Sequence, residues 1–331
     1  MPPMIEIRGL RKVYKDLVAV KNLDLELNAG DIFGFIGPNG AGKTTTIKML
    51  ATLLLPSAGT AFIDGIDVIK DPDHIRGIVG YMPDFFGVYD DIKVWEYLDF
   101  FAAAYLIPRN KRPGIINDVL ALTDLTVKKD AFVESLSRGM KQRLCLAKTL
   151  VHDPKVLLLD EPASGLDPRA RIEIKELLKE LRSMGKTIII SSHILPELAD
   201  FCNKIGIIEK GEMIISGDVK EIIREVSGKH ALELRIFRDE QVGLSNFEQE
   251  NLNLQTSPSQ LKAIELLAKI PNIEDIRLKD GLIQMSWQGE PNGEWVVLKM
   301  LIENDLRVLS FSSPPTDLED VFLRVTRGIV N

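Results

Sequence analysis

Short apolar runs recur along the chain at strand length, and longer stretches between them repeat apolar residues at helical spacing. The runs predict strands over 4–8, 20–27, 31–36, 61–64, 78–82, 155–159, 187–191 and 204–209. Helices are predicted over 43–51 and 168–184, and 92–151 is expected to form helices broken near prolines. Because apolar strands that alternate with helices are typical of parallel sheets, this region predicts an α/β domain with a mostly parallel sheet core.

The pattern changes after residue 218. The polar segment 219–230 is expected to be a linker, and the order strand, helix, strand, strand, helix, strand follows it. That order predicts a small α+β unit of the ferredoxin-like type, with elements over 231–237, 258–269, 273–279, 282–287, 293–304 and 307–311 and a last helix over 315–327. The predicted domains are therefore 1–218, with a helical subdomain at about 85–152, and an accessory domain over 231–331.

Composition and charge agree with two domains of a globular protein. The chain has 331 residues, about twice a typical domain, and 45% of them are apolar, enough for a large buried core. Its net charge of −7 argues against a nucleic-acid partner. No run approaches the roughly 18–20 apolar residues of a membrane span, and residues 1–7 lack a secretory pattern. A cytoplasmic location is expected, with any membrane role exerted through a partner.

A glycine-rich loop lies between the strand predicted at 31–36 and the helix predicted at 43–51. It reads Gly-Pro-Asn-Gly-Ala-Gly-Lys-Thr, the G-x-x-x-x-G-K-[ST] pattern that holds phosphates through backbone N–H groups and a helix N-terminus. Lys43 is expected to reach the β and γ phosphates, and Thr44 to bind Mg²⁺. A chance match is the alternative, but the flanking strand and helix are the context that the motif requires. The predicted nucleotide-binding residues here are Gly37, Pro38, Asn39, Gly40, Ala41, Gly42, Lys43, Thr44 and Thr45.

Two carboxylates follow the fully apolar run at 156–159. They stand at the carboxyl end of a predicted central strand, where open α/β folds bind their ligands. Asp160 is expected to hold Mg²⁺, directly or through water. Glu161 is placed to orient or deprotonate a water for attack on the γ phosphate. Two solvated acids at a strand end are the alternative, which the nearby phosphate loop disfavours.

The string Leu136-Ser137-Arg138-Gly139-Met140 stands shortly before this strand. Together with the glycine loop and the acidic strand end, it resembles the ATP-binding subunit of ABC transporters, whose LSGGQ signature it matches. The resemblance covers residues 4–217. It implies a P-loop NTPase fold of the ABC type, with a mostly parallel sheet core, an antiparallel β subdomain and a helical subdomain. It also implies ATP and Mg²⁺ as cofactors, and ATP hydrolysis as the activity.

The resemblance further implies a head-to-tail dimer in which Ser137 and Gly139 of one subunit face the ATP held by the other. Ser137 is also a good N-cap for a helix, and that structural role is the alternative. Asp167 matches a loop that crosses the dimer interface, and before a proline it is a good cap as well. Arg138 replaces a glycine of the family and would be a cation near the incoming triphosphate.

Three more positions take their roles from the resemblance. Tyr14 would stack on adenine, with a partly buried core tyrosine as the alternative. His193 matches the histidine that contacts the γ phosphate, and it joins Lys43 and Glu161 as a predicted catalytic residue. Asp84 stands where the family usually has a glutamine that touches Mg²⁺. Aspartate can accept but not donate hydrogen bonds, and it could still reach Mg²⁺ through water.

The partners are also implied by the resemblance. One nucleotide domain per chain predicts pairing with a second ABC ATPase subunit, most simply as a homodimer. A separate transmembrane permease would hold the complex on the cytoplasmic face of the cell membrane. Residues 313–322 resemble the C-terminal end of exporter ATPases of the ABC-2 and drug-resistance type. The aromatic-rich segment 85–107 is either the surface that receives the permease or core of the helical subdomain.

A soluble ABC ATPase that acts on ribosomes, DNA or metal clusters is the alternative function. Such proteins usually carry two nucleotide domains or a long inserted coiled coil, and the sequence shows neither. A protein that binds ATP without hydrolysis is opposed by Lys43, Asp160, Glu161 and His193. A P-loop kinase would leave the signature string unexplained.

Overall fold

The computed structural model describes residues 2–84, 87, 91–192, 198, 201–222, 230–237, 257–279, 281–289 and 293–313. The chain forms two compact units, one that contains Met1–Ile222 and one that contains Ile223–Arg324. The domain limits predicted from the sequence remain predictions. Across the described part of the chain, no helix combines the length and the apolar character needed to span a bilayer.

A six-stranded sheet forms the centre of the first unit, in the order β10-β9-β3-β8-β7-β6. Its strands are β3 (Ile32–Ile36), β6 (Val79–Met82), β7 (Val156–Asp160), β8 (Thr187–Ser192), β9 (Lys204–Glu209) and β10 (Glu212–Asp218). Every residue of β3, β7 and β8 is buried, as expected of central strands covered on both faces. All neighbours pair in parallel except β10, which returns antiparallel to β9. The parallel core predicted from the apolar runs is confirmed.

A second, antiparallel sheet has the order β2-β1-β4-β5. It contains β1 (Ile5–Tyr14), β2 (Leu17–Leu27), β4 (Ala58–Ile63) and β5 (Ile66–Asp67). The first two strands extend well beyond the predicted 4–8 and 20–27, because register shifts interrupt the alternation of apolar and polar residues beyond those runs. This sheet supplies the antiparallel subdomain that the resemblance implies.

The helices of the first unit are α1 (Lys43–Leu50), α2 (Pro72–Ile78), α3 (Val94–Ala104), α4 (Arg112–Leu122), α5 (Arg138–Leu150) and α6 (Pro168–Ser183). Side-chain caps begin three of them: Asp71 for α2, Ser137 for α5 and Asp167 for α6. The predicted helical stretch at 92–151 is confirmed, with a break around Pro108 and two short 3₁₀ turns between α4 and α5. The break expected at Pro113-Gly114 was wrong, because this proline lies in the first turn of α4, where its missing N–H costs no helical hydrogen bond.

The end of α5 is fixed to both the helical region and the sheet through His152. Its ring stacks on that of Tyr105 at a centroid distance of 3.7 Å, and its Nε2 lies 3.0 Å from the carbonyl oxygen of Val79. Burial lowers the pKa of His152. Because burial disfavours the charged form, the ring acts as a neutral structural element.

The second unit contains β11 (His230–Ile236), α7 (Pro258–Leu267), β12 (Ile273–Lys279), β13 (Leu282–Trp287), α8 (Trp295–Glu303) and β14 (Val308–Ser312). Its antiparallel sheet has the order β12-β13-β11-β14, the ferredoxin-like arrangement predicted from the element order. Leu232 and Leu234 of β11 and Ile283 of β13 are fully buried in its core with Val297 and Leu301 of α8. The predicted helix at 315–327 lies outside the described residues.

Candidate functional site

The glycine-rich loop joins the buried end of β3 to the start of α1. Gly40 and Gly42 have φ values of +82° and +113°, a left-handed region that favours glycine. Lys43, 5% exposed, donates from Nζ to the carbonyl oxygens of Gly37 at 2.6 Å and Pro38 at 3.3 Å. Burial lowers the pKa of Lys43, while the negative charges of Glu161 and Asp160 oppose that shift. The loop is thus curled around its own lysine.

Gly37 leaves no room for a side chain, because a Cβ there would overlap the carbonyl oxygen of Ile208 in β9. At Gly40, in contrast, a Cβ would meet no atom of the described residues within 4 Å beyond its two chain neighbours.

We expect Gly37→Ala to lower the free energy of unfolding by about 2 kcal/mol through overpacking. Gly40→Ala should lower it by only about 1 kcal/mol, the strain of a left-handed alanine. Urea denaturation of both variants measures the difference, and equal losses would contradict the close approach of loop and strand.

The acidic residues lie where β7 meets the end of β8. Asp160, 1% exposed, accepts hydrogen bonds from Thr44 Oγ1 at 3.1 Å and from Ser191 Oγ at 2.6 Å. The Ser191 hydroxyl also accepts the backbone N–H of Glu161 at 3.0 Å. Glu161 has a φ of +51°, and its Oε1 lies 3.8 Å from Lys43 Nζ. The predicted metal and catalytic residues of the two motifs are therefore brought together at one edge of the sheet.

Ser191 received no role from the sequence. Its hydroxyl connects Asp160 to the backbone of Glu161, and so it holds the acidic pair in place. The only hint in the sequence was weak, since it consists of two serines that end an otherwise apolar strand. Serines are common at strand ends. The pairing of β7 with β8 places Ser191 beside Asp160, and the sequence alone does not show this pairing.

One open pocket collects several of the predicted residues. The phosphate loop, Tyr14, Asp84, Glu161 and Ser164 all line it. Tyr14 is 41% exposed, and Lys12 Nζ lies 5.2 Å from its ring centroid. The Tyr14 ring is thus a partly exposed aromatic surface of the pocket, and the alternative of a core tyrosine does not fit this exposure.

The signature residues begin α5 outside this pocket. Ser137 Oγ accepts the backbone N–H of Met140 at 3.3 Å, and Asp167 accepts that of Ala170 at 2.9 Å. Both capping roles expected from the sequence are confirmed. The residues that line the pocket, as far as the structure describes the chain, do not include Ser137, Gly139 or Asp167. His193 lies outside the described residues.

A parallel sheet with a phosphate loop after its central strand and an acidic pair at the end of a neighbouring strand defines a P-loop ATPase. Residues 20–164 match the family described as ABC transporter. The chain is 38% identical over 234 residues to the Nod factor export ATP-binding protein I of Cupriavidus metallidurans, covering 71% of this chain and 77% of that one. The chain belongs to the ABC transporter family, and it is an ATP-binding subunit with ATPase activity.

Two more comparisons agree with this assignment. The probable multidrug ABC transporter ATP-binding protein YbhF of Escherichia coli is 36% identical over 86% of this chain, which spans 49% of YbhF. The solved structure of cbiO1 from Clostridium perfringens, part of an ABC transporter complex, superposes with a TM-score of 0.61 at 28% identity, covering 69% of this chain and 95% of cbiO1. The predicted family, fold class and activity are confirmed.

Proposed function

We propose that this chain powers export through a separate transmembrane permease, by closing on a second ABC ATPase subunit around ATP. The proposal rests on one observation. The Thr44 hydroxyl is hydrogen-bonded to Asp160, and Glu161, the next residue, lines the same pocket as Tyr14 and the phosphate loop. The relatives named for Nod factor export and as probable multidrug transporters support export as the direction. A soluble ABC ATPase is the other candidate, and no described feature favours it.

ATP is proposed to occupy the pocket with its adenine on Tyr14 and its phosphates in the glycine loop. The loop residues are Gly37, Pro38, Asn39, Gly40, Ala41, Gly42, Lys43, Thr44 and Thr45. Their N–H groups and the positive end of α1 supply a site for anions. Lys43 would exchange the carbonyl oxygens of Gly37 and Pro38 for phosphate oxygens, which are stronger partners for an ammonium group.

Mg²⁺ is proposed to be held by Thr44, Asp160 and, through water, Asp84. The donors fit this ion, since they are all oxygen atoms and Asp160 is a buried carboxylate already surrounded by hydroxyl groups. No cluster of three or more His, Cys, Asp or Glu side chains suited to a metal occurs in the described ranges. Mg²⁺ usually takes one or two carboxylates from the protein and its other ligands from water and the phosphates of the nucleotide. The ion would neutralise phosphate charge.

For hydrolysis, Glu161 is proposed to orient and deprotonate the attacking water. Lys43 and His193 would stabilise the γ phosphate. The left-handed backbone of Glu161 and its two hydrogen bonds to Ser191 fix the start of its side chain. Fixing a base in this way reduces the freedom lost when the reacting groups are brought together.

The second ATP-contacting surface is proposed to come from the other subunit of a homodimer. Ser137, Gly139 and Asp167 stand at or beside the N-termini of α5 and α6. They are not among the described residues that line the pocket of their own chain. A helix N-terminus is a suitable partner for a γ phosphate. ATP would then join the two subunits, and hydrolysis would release them.

Asp84 is proposed to connect the nucleotide to the permease. Asp84→Ala should leave ATP affinity nearly unchanged but slow turnover in the assembled complex, because the water-mediated link to Mg²⁺ is lost. ATP affinity by calorimetry and phosphate release in reconstituted vesicles measure the two effects. Wild-type turnover in vesicles would contradict this role. Asp64→Ala, which removes a surface carboxylate paired with Lys155, is the control.

The permease itself is tested by purifying the tagged chain from detergent-solubilised membranes of its own cells, and then co-expressing the chain with the membrane protein identified there. We expect the two proteins to co-purify in detergent and the permease to change the ATPase rate of the chain. Segment 85–107 is proposed to include the contact surface. A chain that hydrolyses ATP but remains unbound and unaffected by the membrane fraction would favour a soluble ABC ATPase.

A further inference from the structure

Arg138, which replaces a glycine of the family signature, contacts the turn that follows Glu161 in its own chain. Its Nη2 donates to the carbonyl oxygen of Ser164 at 3.2 Å. One helical turn further along α5, Gln142 Nε2 donates to the carbonyl oxygen of Pro162 at 2.6 Å. Residues four apart lie on one face of a helix. One face of α5 therefore holds two carbonyl groups of the same turn.

The contact of Arg138 with this turn requires a residue without a side chain at position 165. The φ of Gly165 is +66°, and a Cβ at this position would overlap Nη2 and Cζ of Arg138. The guanidinium group thus lies against the glycine, in the space that any other residue would fill. The position of the Arg138 side chain therefore depends on glycine at 165, and this side chain packs on the turn instead of extending into solvent.

The turn held by Arg138 also fixes Glu161. The backbone N–H of Ser164 donates to the carbonyl oxygen of Glu161 at 3.0 Å, which closes the turn. On its other side, the N–H of Glu161 is bound to Ser191. Displacement of the Ser164 carbonyl would consequently shift the backbone of Glu161 and, with its Cα, the side chain.

We propose that Arg138 is a positioning residue for ATP hydrolysis, which holds the turn from Glu161 to Ser164 within its own chain. The proposal rests on the proposed role of Glu161 as the base. It differs from the expectation drawn from the sequence, in which Arg138 meets the triphosphate bound by the other subunit. The two roles differ in which kinetic constant Arg138 controls.

The first test is Arg138→Met, which keeps an unbranched, largely apolar stem on the helix and removes the hydrogen-bond donors. Misplacing a base affects the chemical step, so we expect kcat to fall about tenfold while KM for ATP and the melting temperature stay unchanged. Arg138→Lys should restore part of the rate, since one donor remains. Arg169→Met is the control, because this exposed arginine pairs with Glu173 instead of the turn. Wild-type kcat in Arg138→Met would overturn the proposal.

The second test is a double-mutant cycle with Gly165→Ala. The strain of a left-handed alanine is present in both backgrounds and cancels, whereas the overlap with the guanidinium exists only when Arg138 is present. Gly165→Ala should therefore lower kcat in the wild-type chain and have a smaller effect in Arg138→Met. Additive losses would mean that the two residues do not act together, and would overturn the proposal.

The third test separates the two roles of Arg138 and uses Glu161→Gln to trap the ATP-bound dimer. If Arg138 acts within its own chain, Arg138→Met in the Glu161→Gln background should dimerise at the same ATP concentration. A higher ATP requirement would indicate a contact with the triphosphate and overturn the proposal. If Glu161→Gln alone retains full hydrolysis, the role of Glu161 fails and the positioning role falls with it. If Glu161→Gln does not hydrolyse ATP but Arg138→Met does so at the wild-type rate, only the positioning role of Arg138 is rejected.

Discussion

Glu161→Gln is expected to lower the rate of ATP hydrolysis by about 100- to 10,000-fold, the usual contribution of a general base. Glutamine keeps the size of the side chain and removes the negative charge that accepts a proton. The backbone hydrogen bonds to Ser191 do not depend on that charge, so the fold and ATP affinity should persist. Phosphate release and calorimetric ATP binding measure the two effects separately.

The same variant should accumulate as an ATP-bound dimer, because the step that releases the subunits is blocked. Light scattering after gel filtration is expected to show a doubled mass with ATP and Mg²⁺ and the single-chain mass without nucleotide. Glu176→Gln, which alters an exposed carboxylate paired with Lys179, serves as the control. A monomer under all conditions, or hydrolysis at the wild-type rate, would contradict the proposed mechanism.

Lys43→Met is expected to weaken ATP binding about 100-fold, or about 2.7 kcal/mol. The buried ammonium group is the cation of the phosphate loop, and bonds between charged partners exceed neutral ones. Its burial lowers the pKa of Lys43, an effect that a bound triphosphate would oppose by favouring the charged form. Methionine fills a similar volume without charge, so the loss should appear in nucleotide affinity.

Lys48→Met provides the matched control for this prediction. Lys48 is exposed on the same helix, α1, and belongs to its last turn. Its removal should leave ATP affinity unchanged. The melting temperature of the ATP-free Lys43→Met chain then distinguishes loss of the site from loss of the fold. Wild-type affinity in a folded Lys43→Met chain would show that the phosphates bind elsewhere.

Much of the fold was predictable because its signals are local. The strands β3 and β7 are unbroken apolar runs, and each is followed directly by the residues that carry its motif. Helix α2 was missed, since seven residues are too few to reveal a helical period. Asp71 followed by a proline was a usable start signal for it. The hairpin of β1 and β2 was predicted too short because of its irregular register.

The sequence by itself determined the phosphate loop, the acidic strand end and the capped helix of the signature, because each depends on neighbours within a few positions. Only the tertiary structure decided which distant groups meet them: Ser191 at Asp160, Ile208 against Gly37, and Arg138 on the turn after Glu161. Those contacts depend on strand order and helix packing. The order of strands in a sheet produces no periodic pattern in the sequence, so it cannot be predicted from hydrophobic spacing. The role of a hydroxyl or a guanidinium group depends on which partner the fold brings within hydrogen-bond distance.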